Sequence, residues 1–258
     1  MSALWRKLRM VLHVLAKLIA FGGFGAGSLV YAGFIFPAIQ IFHRHDEKAR
    51  RAMRRSIQTV YTFFVDLMKT LRLITVDVSH PERLKDAKRL VICANHPTLI
   101  DVVILFSLVP QADCVVKASL WRNIFMKGIV RQLYIDNSLD ADHLLAAARR
   151  SLAAGNNLII FPEGTRSSSR KDVRLRRSAA QIAVRTDTPI LPVRIVAETP
   201  VGLRKGDTLF SSPASGIVRF YIQPKPLLHP AGYSHRETPL AARILTNELK
   251  AIIIPKPQ

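Results

Sequence analysis

His96 and Asp101 stand in the run VICANHPTLID over residues 91–101, with four residues between them. A carboxylate that holds one imidazole nitrogen fixes the tautomer and leaves the other nitrogen free as a base. If 98–108 is a helix, Asp101 lies about one turn past Pro97, so its carboxylate can reach back to His96. Such a pair makes two thirds of a nucleophile–histidine–carboxylate triad, the nucleophile being left to a substrate hydroxyl. Taken alone, the spacing is weak evidence, and a helix-capping histidine near a solvated aspartate is the better reading of an isolated match. A second stretch, LIIFPEGTRS over 158–167, raises the specificity. Here an apolar run stops at Pro162 and then offers Glu163, Gly164, Thr165 and Arg166. Glycine lets backbone approach a ligand closely, and a guanidinium suits phosphate or carboxylate. Glu163 could hold the hydroxyls of a polyol. Read blandly, the stretch is a polar surface turn.

Both stretches need a strand to deliver them. Residues 91–94 form an apolar run of strand length, ended by Asn95. Pro97 is suited to a first helical position, which puts His96 near the N-cap. From residue 89 onward strands and helices alternate. Strands are expected over 75–78, 90–94, 114–117, 133–136, 157–161, 190–195 and 216–223. Helices are expected over 98–108, 119–130, 141–154, 173–186 and 239–253, with Gly155 as the C-cap of the third. The pattern predicts an α/β fold: a mixed, largely parallel sheet flanked by helices, with an N-terminal membrane-associated helical segment. In such sheets sites lie at the carboxyl ends of strands, and His96 falls at one.

The 258 residues suffice for one large domain with an appendage, and 49% are hydrophobic. No charged residue occurs over 18–42, a stretch long enough to cross a bilayer core. Its glycines (Gly22, Gly23, Gly25, Gly27 and Gly33) and Pro37 also permit a bent or re-entrant segment. Arg6, Lys7, Arg9 and Lys17 precede the stretch, and Arg44, Lys48, Arg50, Arg51, Arg54 and Arg55 follow it. The heavier basic flank is C-terminal. That predicts a cytoplasmic remainder and contact with anionic lipid headgroups. Apolar positions in 57–73 recur at helical spacing, as in an amphipathic helix. The expected division is a membrane-embedded and amphipathic region over 1–75 and an α/β domain over 76–258. The 38 Lys and Arg against 18 Asp and Glu give a formal charge of +20, which calls for an acidic partner. Cys93 and Cys114 sit in apolar runs and read as reduced core residues, so no disulfide framework or zinc site is expected.

Asn95-His96-x4-Asp101 followed by Phe161-Pro162-Glu163-Gly164-Thr165-Arg166-Ser167 resembles the glycerolipid and lysophospholipid acyltransferases, which include the bacterial 1-acylglycerol-3-phosphate acyltransferases. The likeness covers roughly 90–195. Lys117 through Asn137 occupies the place of that family's second block, and 190–195 that of its fourth. The resemblance implies direct acyl transfer without an acyl-enzyme, and neither metal nor cofactor. His96 and Asp101 would be catalytic. Asn95, Lys117, Glu163, Gly164, Thr165 and Arg166 would bind substrate. The donor would be acyl-ACP or acyl-CoA, and the acceptor a lysophospholipid, by default 1-acylglycerol-3-phosphate. The site would face the cytoplasm from a bacterial inner membrane. Family members often end the second block in arginine where this chain has Asn137. That departure admits a lyso-aminolipid or glycolipid acceptor. The cluster Arg170, Lys171, Arg174, Arg176 and Arg177 reads either as a landing site for acidic acyl carrier protein or as a solvated helix edge. The rival reading is a non-catalytic, basic, membrane-tethered binding protein. Nucleic acid is a poor fit to it, because the basic clusters lack interleaved aromatics.

Overall fold

The computed structural model describes residues 3–43, 47–116, 134–136, 140–164, 173–208, 211, 216–233 and 237–254. Its centre is a seven-stranded sheet. The strands are β1 (Ile74–Val78), β2 (Val91–Ala94), β3 (Ala112–Val116), β4 (Tyr134–Asp136), β5 (Asn157–Ile160), β6 (Ile190–Glu198) and β7 (Val218–Pro224). Their spatial order is β1-β7-β6-β2-β5-β3-β4. Every pair is parallel except β6 and β7, so the mixed, largely parallel sheet expected from the alternation is present.

Both faces of the sheet are covered, and β2 shows how its residues divide. Val91 and Cys93 join one apolar cluster, whereas Ile92 and Ala94 join the other. A strand buried on both sides needs apolar residues at every position, which is why 91–94 lacks polar alternation. On the first face lie α6 (Ala141–Ala153), α7 (Ser178–Thr186) and α8 (Thr238–Ile253). On the second lie α3 (Glu47–Thr70) and α5 (Asp101–Leu108). A short helix, α4 (Glu82–Lys85), follows β1.

The N-terminal segment is helical through α1 (Ala3–Val30), a π-turn (Tyr31–Ile35) and α2 (Phe36–His43). Residues 10–39 are long and apolar enough to cross a membrane. The five glycines do not break the helix, and a Cβ added at any of them would meet no atom within 4 Å. They lie away from protein packing. The opposite face of α1 runs antiparallel to α3. Phe21 and Phe24 meet Phe64 at 6.1 and 4.7 Å between centroids, and Tyr31 Oη shares a 2.7 Å hydrogen bond with Ser56. In turn, α3 sets Tyr61 edge-on against Phe106 of α5, at 5.7 Å. The aromatic stack thus runs from the N-terminal helix to the helix that follows His96.

Several expectations need correction. The helix expected over 98–108 begins only at Asp101, so His96 is not its cap. The amphipathic helix expected over 57–73 starts ten residues earlier, at Glu47. The helix expected over 173–186 starts at Ser178. Arg54, assigned by sequence to a headgroup-facing cluster, is 3% exposed and paired inside the protein. The helix expected over 119–130 lies outside the described residues.

Candidate active site

β2 and β5 are adjacent and in register, Val91 beside Leu158 and Cys93 beside Ile160. Both chemistry-bearing stretches therefore leave the sheet at the same end, side by side. Asn95 continues the ladder with its side chain. Its Nδ2 donates to Ile195 O at 2.8 Å and its Oδ1 accepts from Ile195 N at 2.6 Å. Both polar atoms of Asn95 are thus engaged with β6, an arrangement suited to fixing the chain just before His96.

Residues 98–100 form a turn, not the first helical turn. Asp101, fully buried at the start of α5, closes it. Its Oδ2 accepts from Thr98 N at 2.6 Å and from His96 Nδ1 at 2.8 Å, while its Oδ1 accepts from Thr98 Oγ1 at 2.6 Å. An ionised carboxylate only accepts, so in the neutral imidazole of His96 the proton sits on Nδ1 and the lone pair on Nε2. The imidazole is 16% exposed and lies on Phe161, ring centroids 4.4 Å apart and planes 32° from parallel.

Glu163 ties the two stretches together. Its Oε1 accepts from the backbone N–H of His96 at 2.8 Å. Its Oε2 is buried without a hydrogen-bond partner among the described residues. Burial is the main cause that pushes this carboxyl above its ordinary pKa, the His96 N–H acting against it. Gly164 follows at φ +67°, and its missing Cβ leaves room for the Arg176 side chain, whose Nε lies 2.9 Å from where a Cβ would stand. Arg176 N also donates to Pro162 O at 2.7 Å. Lys117, Thr165, Arg166 and Asn137 lie outside the described residues, as do Arg170 and Lys171. Burial holds the thiols of Cys93 and Cys114 protonated, far above their ordinary pKa, so neither is a nucleophile in this fold.

The raised Glu163 pKa carries a pH signature. The folded protein binds this proton more tightly than the unfolded chain, whose glutamates titrate near about 4.3. The penalty is absent below that pH and grows as pH rises toward the folded value, so stability falls across the window. Glu163→Gln keeps the acceptor for His96 N and removes the titration. Its unfolding midpoint, relative to the natural chain, is expected to improve between pH 4 and neutrality, measured as the difference of two thermal scans at each pH. A pH-independent difference contradicts the assignment.

Sequence reasoning missed two things. One is the role of Glu163 toward His96 N; only the adjacency of β2 and β5 exposes it. The other is Lys17, which the sequence places among flanking charges and the structure buries at 6% exposure.

Residues 75–196 match the family model described as Acyltransferase. Among curated relatives, a 1-acyl-sn-glycerol-3-phosphate acyltransferase of Cocos nucifera is 27% identical over 140 residues, which are 52% of this chain and 45% of that one. The 1-acyl-sn-glycerol-3-phosphate acyltransferase beta of Homo sapiens is 26% identical over 145 residues, 52% and 51% of the two chains. A probable enzyme of the same name from Mycoplasma pneumoniae is 28% identical over 143 residues, 51% and 53%. The matched part thus spans about half the length of each of these relatives. In fold, the crystal structure of the 1-acyl-sn-glycerophosphate acyltransferase PlsC from Thermotoga maritima superposes with a TM-score of 0.65, covering 98% of this chain and 100% of that one at 22% identity. The matched region begins at β1 and ends within β6, so the likeness to the Acyltransferase model covers the elements that carry His96, Asp101 and Glu163.

Proposed function

We propose that the protein is a membrane-bound O-acyltransferase that moves an acyl chain from acyl-ACP or acyl-CoA to a lysophospholipid hydroxyl. The default acceptor is 1-acylglycerol-3-phosphate, giving phosphatidic acid. The observation that carries this reading is the His96–Asp101 contact of 2.8 Å at the end of β2, which leaves the outer imidazole nitrogen without a hydrogen bond among the described residues. His96 Nε2 takes the proton of the acceptor hydroxyl as its oxygen attacks the thioester carbonyl. Asp101 stabilises the imidazolium that forms. The tetrahedral species collapses, the C–S bond breaks, and the imidazolium returns its proton to the leaving thiolate. Glu163 holds the His96 backbone, and its unpartnered Oε2 is available to a substrate hydroxyl. Gly164, Thr165, Arg166 and Lys117 complete the acceptor site.

The site works at a membrane, with the stretch 10–39 embedded and the α/β part on the cytoplasmic side of a bacterial inner membrane. The support is an apolar outer face: Met10, Leu12, Leu15, Leu18 and Ile19 are each about half exposed or more. Phe34 and Ile41 are exposed further along. Residues 1–75 form the membrane-associated part and 76–258 the catalytic one.

The test is thiol release from acyl-CoA and acyl-ACP by the purified protein in lipid, with lysophosphatidate and a panel of other lyso-lipids. Release that depends on lysophosphatidate is expected. Release with a lyso-aminolipid or glycolipid alone would move the acceptor, in keeping with Asn137. No release with any pair would reject the reading.

A further inference from the structure

Lys17 is out of pattern on α1. Its neighbours Leu15, Leu18 and Ile19 face outward, whereas Lys17 points into the protein at 6% exposure. An ammonium on an apolar helix is costly to bury unless its donors are satisfied. Here Nζ donates to Ser211 O at 2.5 Å. It also lies 2.7 Å from where a Cβ of Gly202 would stand, and Ser211 O crowds the same point. Gly202 has φ +84°, so both its backbone and its missing side chain are matched to this seat. Asp207 braces the same segment, its Oδ2 accepting from Gly202 N at 2.7 Å and Arg204 N at 3.3 Å. Its carboxylate also acts on the Lys17 charge.

The next residue makes the seat matter. Leu203 is 2% exposed, and its carbonyl accepts from Leu99 N at 3.0 Å. Leu99 lies in the turn between His96 and Asp101. The path from the apolar helix to the proton-transfer pair therefore has three links: the Lys17 ammonium, the Gly202–Leu203 backbone and the Leu99 amide. The outer two contacts are hydrogen bonds, Lys17 to Ser211 O at 2.5 Å and Leu99 N to Leu203 O at 3.0 Å, and between them Lys17 and Ser211 pack directly on the side-chain-free face of Gly202. We propose that Lys17 is a positioning residue for the His96–Asp101 turn, acting from the membrane helix through the Gly202–Leu203 backbone. Seating α1 and setting the catalytic turn then become one event. The kinetic part of this inference rests on the acyltransferase reading; its structural part does not.

The experiment compares the full chain in phospholipid vesicles with Lys17→Met, Asp207→Ala and the double variant. Methionine keeps the length of the side chain and stays compatible with an apolar helix. Vesicle flotation and the unfolding midpoint are expected to hold. The kcat is expected to fall by about 10- to 100-fold, as for a small misplacement of reacting groups, with KM for the thioester nearly constant. Amide exchange at Leu99 is expected to rise by about tenfold or more in each single variant, with Ile104 of α5 unchanged. The double variant is expected to be no worse than the worse single one, since both act on one segment. Unchanged Leu99 exchange in the single variants, or kcat within about twofold of the natural chain, would overturn the inference. If Lys17→Met fails to fold, Asp207→Ala, a change at an exposed side chain, decides by the same readouts. A natural chain without transfer activity would refute the acyltransferase reading, and Leu99 exchange would still decide the coupling.

Discussion

His96→Ala is expected to lower kcat for acyl transfer by about 10²- to 10⁴-fold, the range of a general base. The fold should survive. The imidazole is partly exposed, and Asp101 keeps two of its three hydrogen bonds, both from Thr98. KM should change little, because in the proposed mechanism Nε2 acts on the reacting proton and does not anchor the substrate. Asp101→Asn makes a sharper companion. Three donors converge on that carboxylate: Thr98 N, Thr98 Oγ1 and His96 Nδ1. A carboxamide has one oxygen and brings an NH2 of its own. The carboxamide oxygen can keep the place of Oδ2, where Thr98 N and His96 Nδ1 converge, and its NH2 then faces Thr98 Oγ1, a hydroxyl that can turn from donor to acceptor. His96 keeps a partner on Nδ1 but loses the negative charge that stabilises the imidazolium. Asp101→Asn is therefore expected to lose rate while keeping most of the stability, as His96→Ala does. Acceptor-dependent thiol release and thermal unfolding on the same preparations measure rate and stability. A natural rate in His96→Ala would remove His96 from the mechanism.

The parts of the molecule legible in the sequence share one property: their signal is local. β2 and β5 were visible because a strand buried on both faces must be apolar at every position. Gly155 was visible as a helix end, and it takes φ +85° just after α6. The start of α5 was misread because Pro97 fits a first helical position by local rules. Thr98 and Asp101 overrule that preference, their side-chain and backbone bonds holding residues 98–100 in a turn. What stayed hidden depends on distant partners. Asn95 spends its amide on Ile195, one hundred residues away. Lys17 looks like a flanking charge until Ser211 is placed beside it. Arg54 sits among six cations in a stretch of twelve residues, and no local rule separates the buried one from exposed Arg50, Arg51 and Arg55.

Arg54 carries the other large expected effect. Its guanidinium makes a two-pronged contact with Asp113 of β3, Nε to Oδ1 at 2.8 Å and Nη2 to Oδ2 at 3.1 Å. Nη1 reaches Glu47 at 3.1 Å, and Ser151 of α6 donates to Asp113 Oδ2 at 2.5 Å. Arg54 and Asp113 are 3% and 5% exposed, so neither charge can turn to water. Asp113→Ala strands the guanidinium and is expected to cost about 3–5 kcal/mol, a large share of the roughly 5–15 kcal/mol that holds a domain together. The double change Arg54→Met with Asp113→Leu removes both charges and refills the volume. It should recover most of that loss, since a buried pair adds little beyond a well-packed apolar substitute. Asp113 lies near the start of β3, at the end of the sheet away from His96, so kcat per folded molecule should be unchanged in either variant. Chemical unfolding in detergent and active-site titration make the comparison. If the double variant is as unstable as Asp113→Ala, the pair is needed for its geometry across α3, β3 and α6, not merely to avoid an unpaired charge.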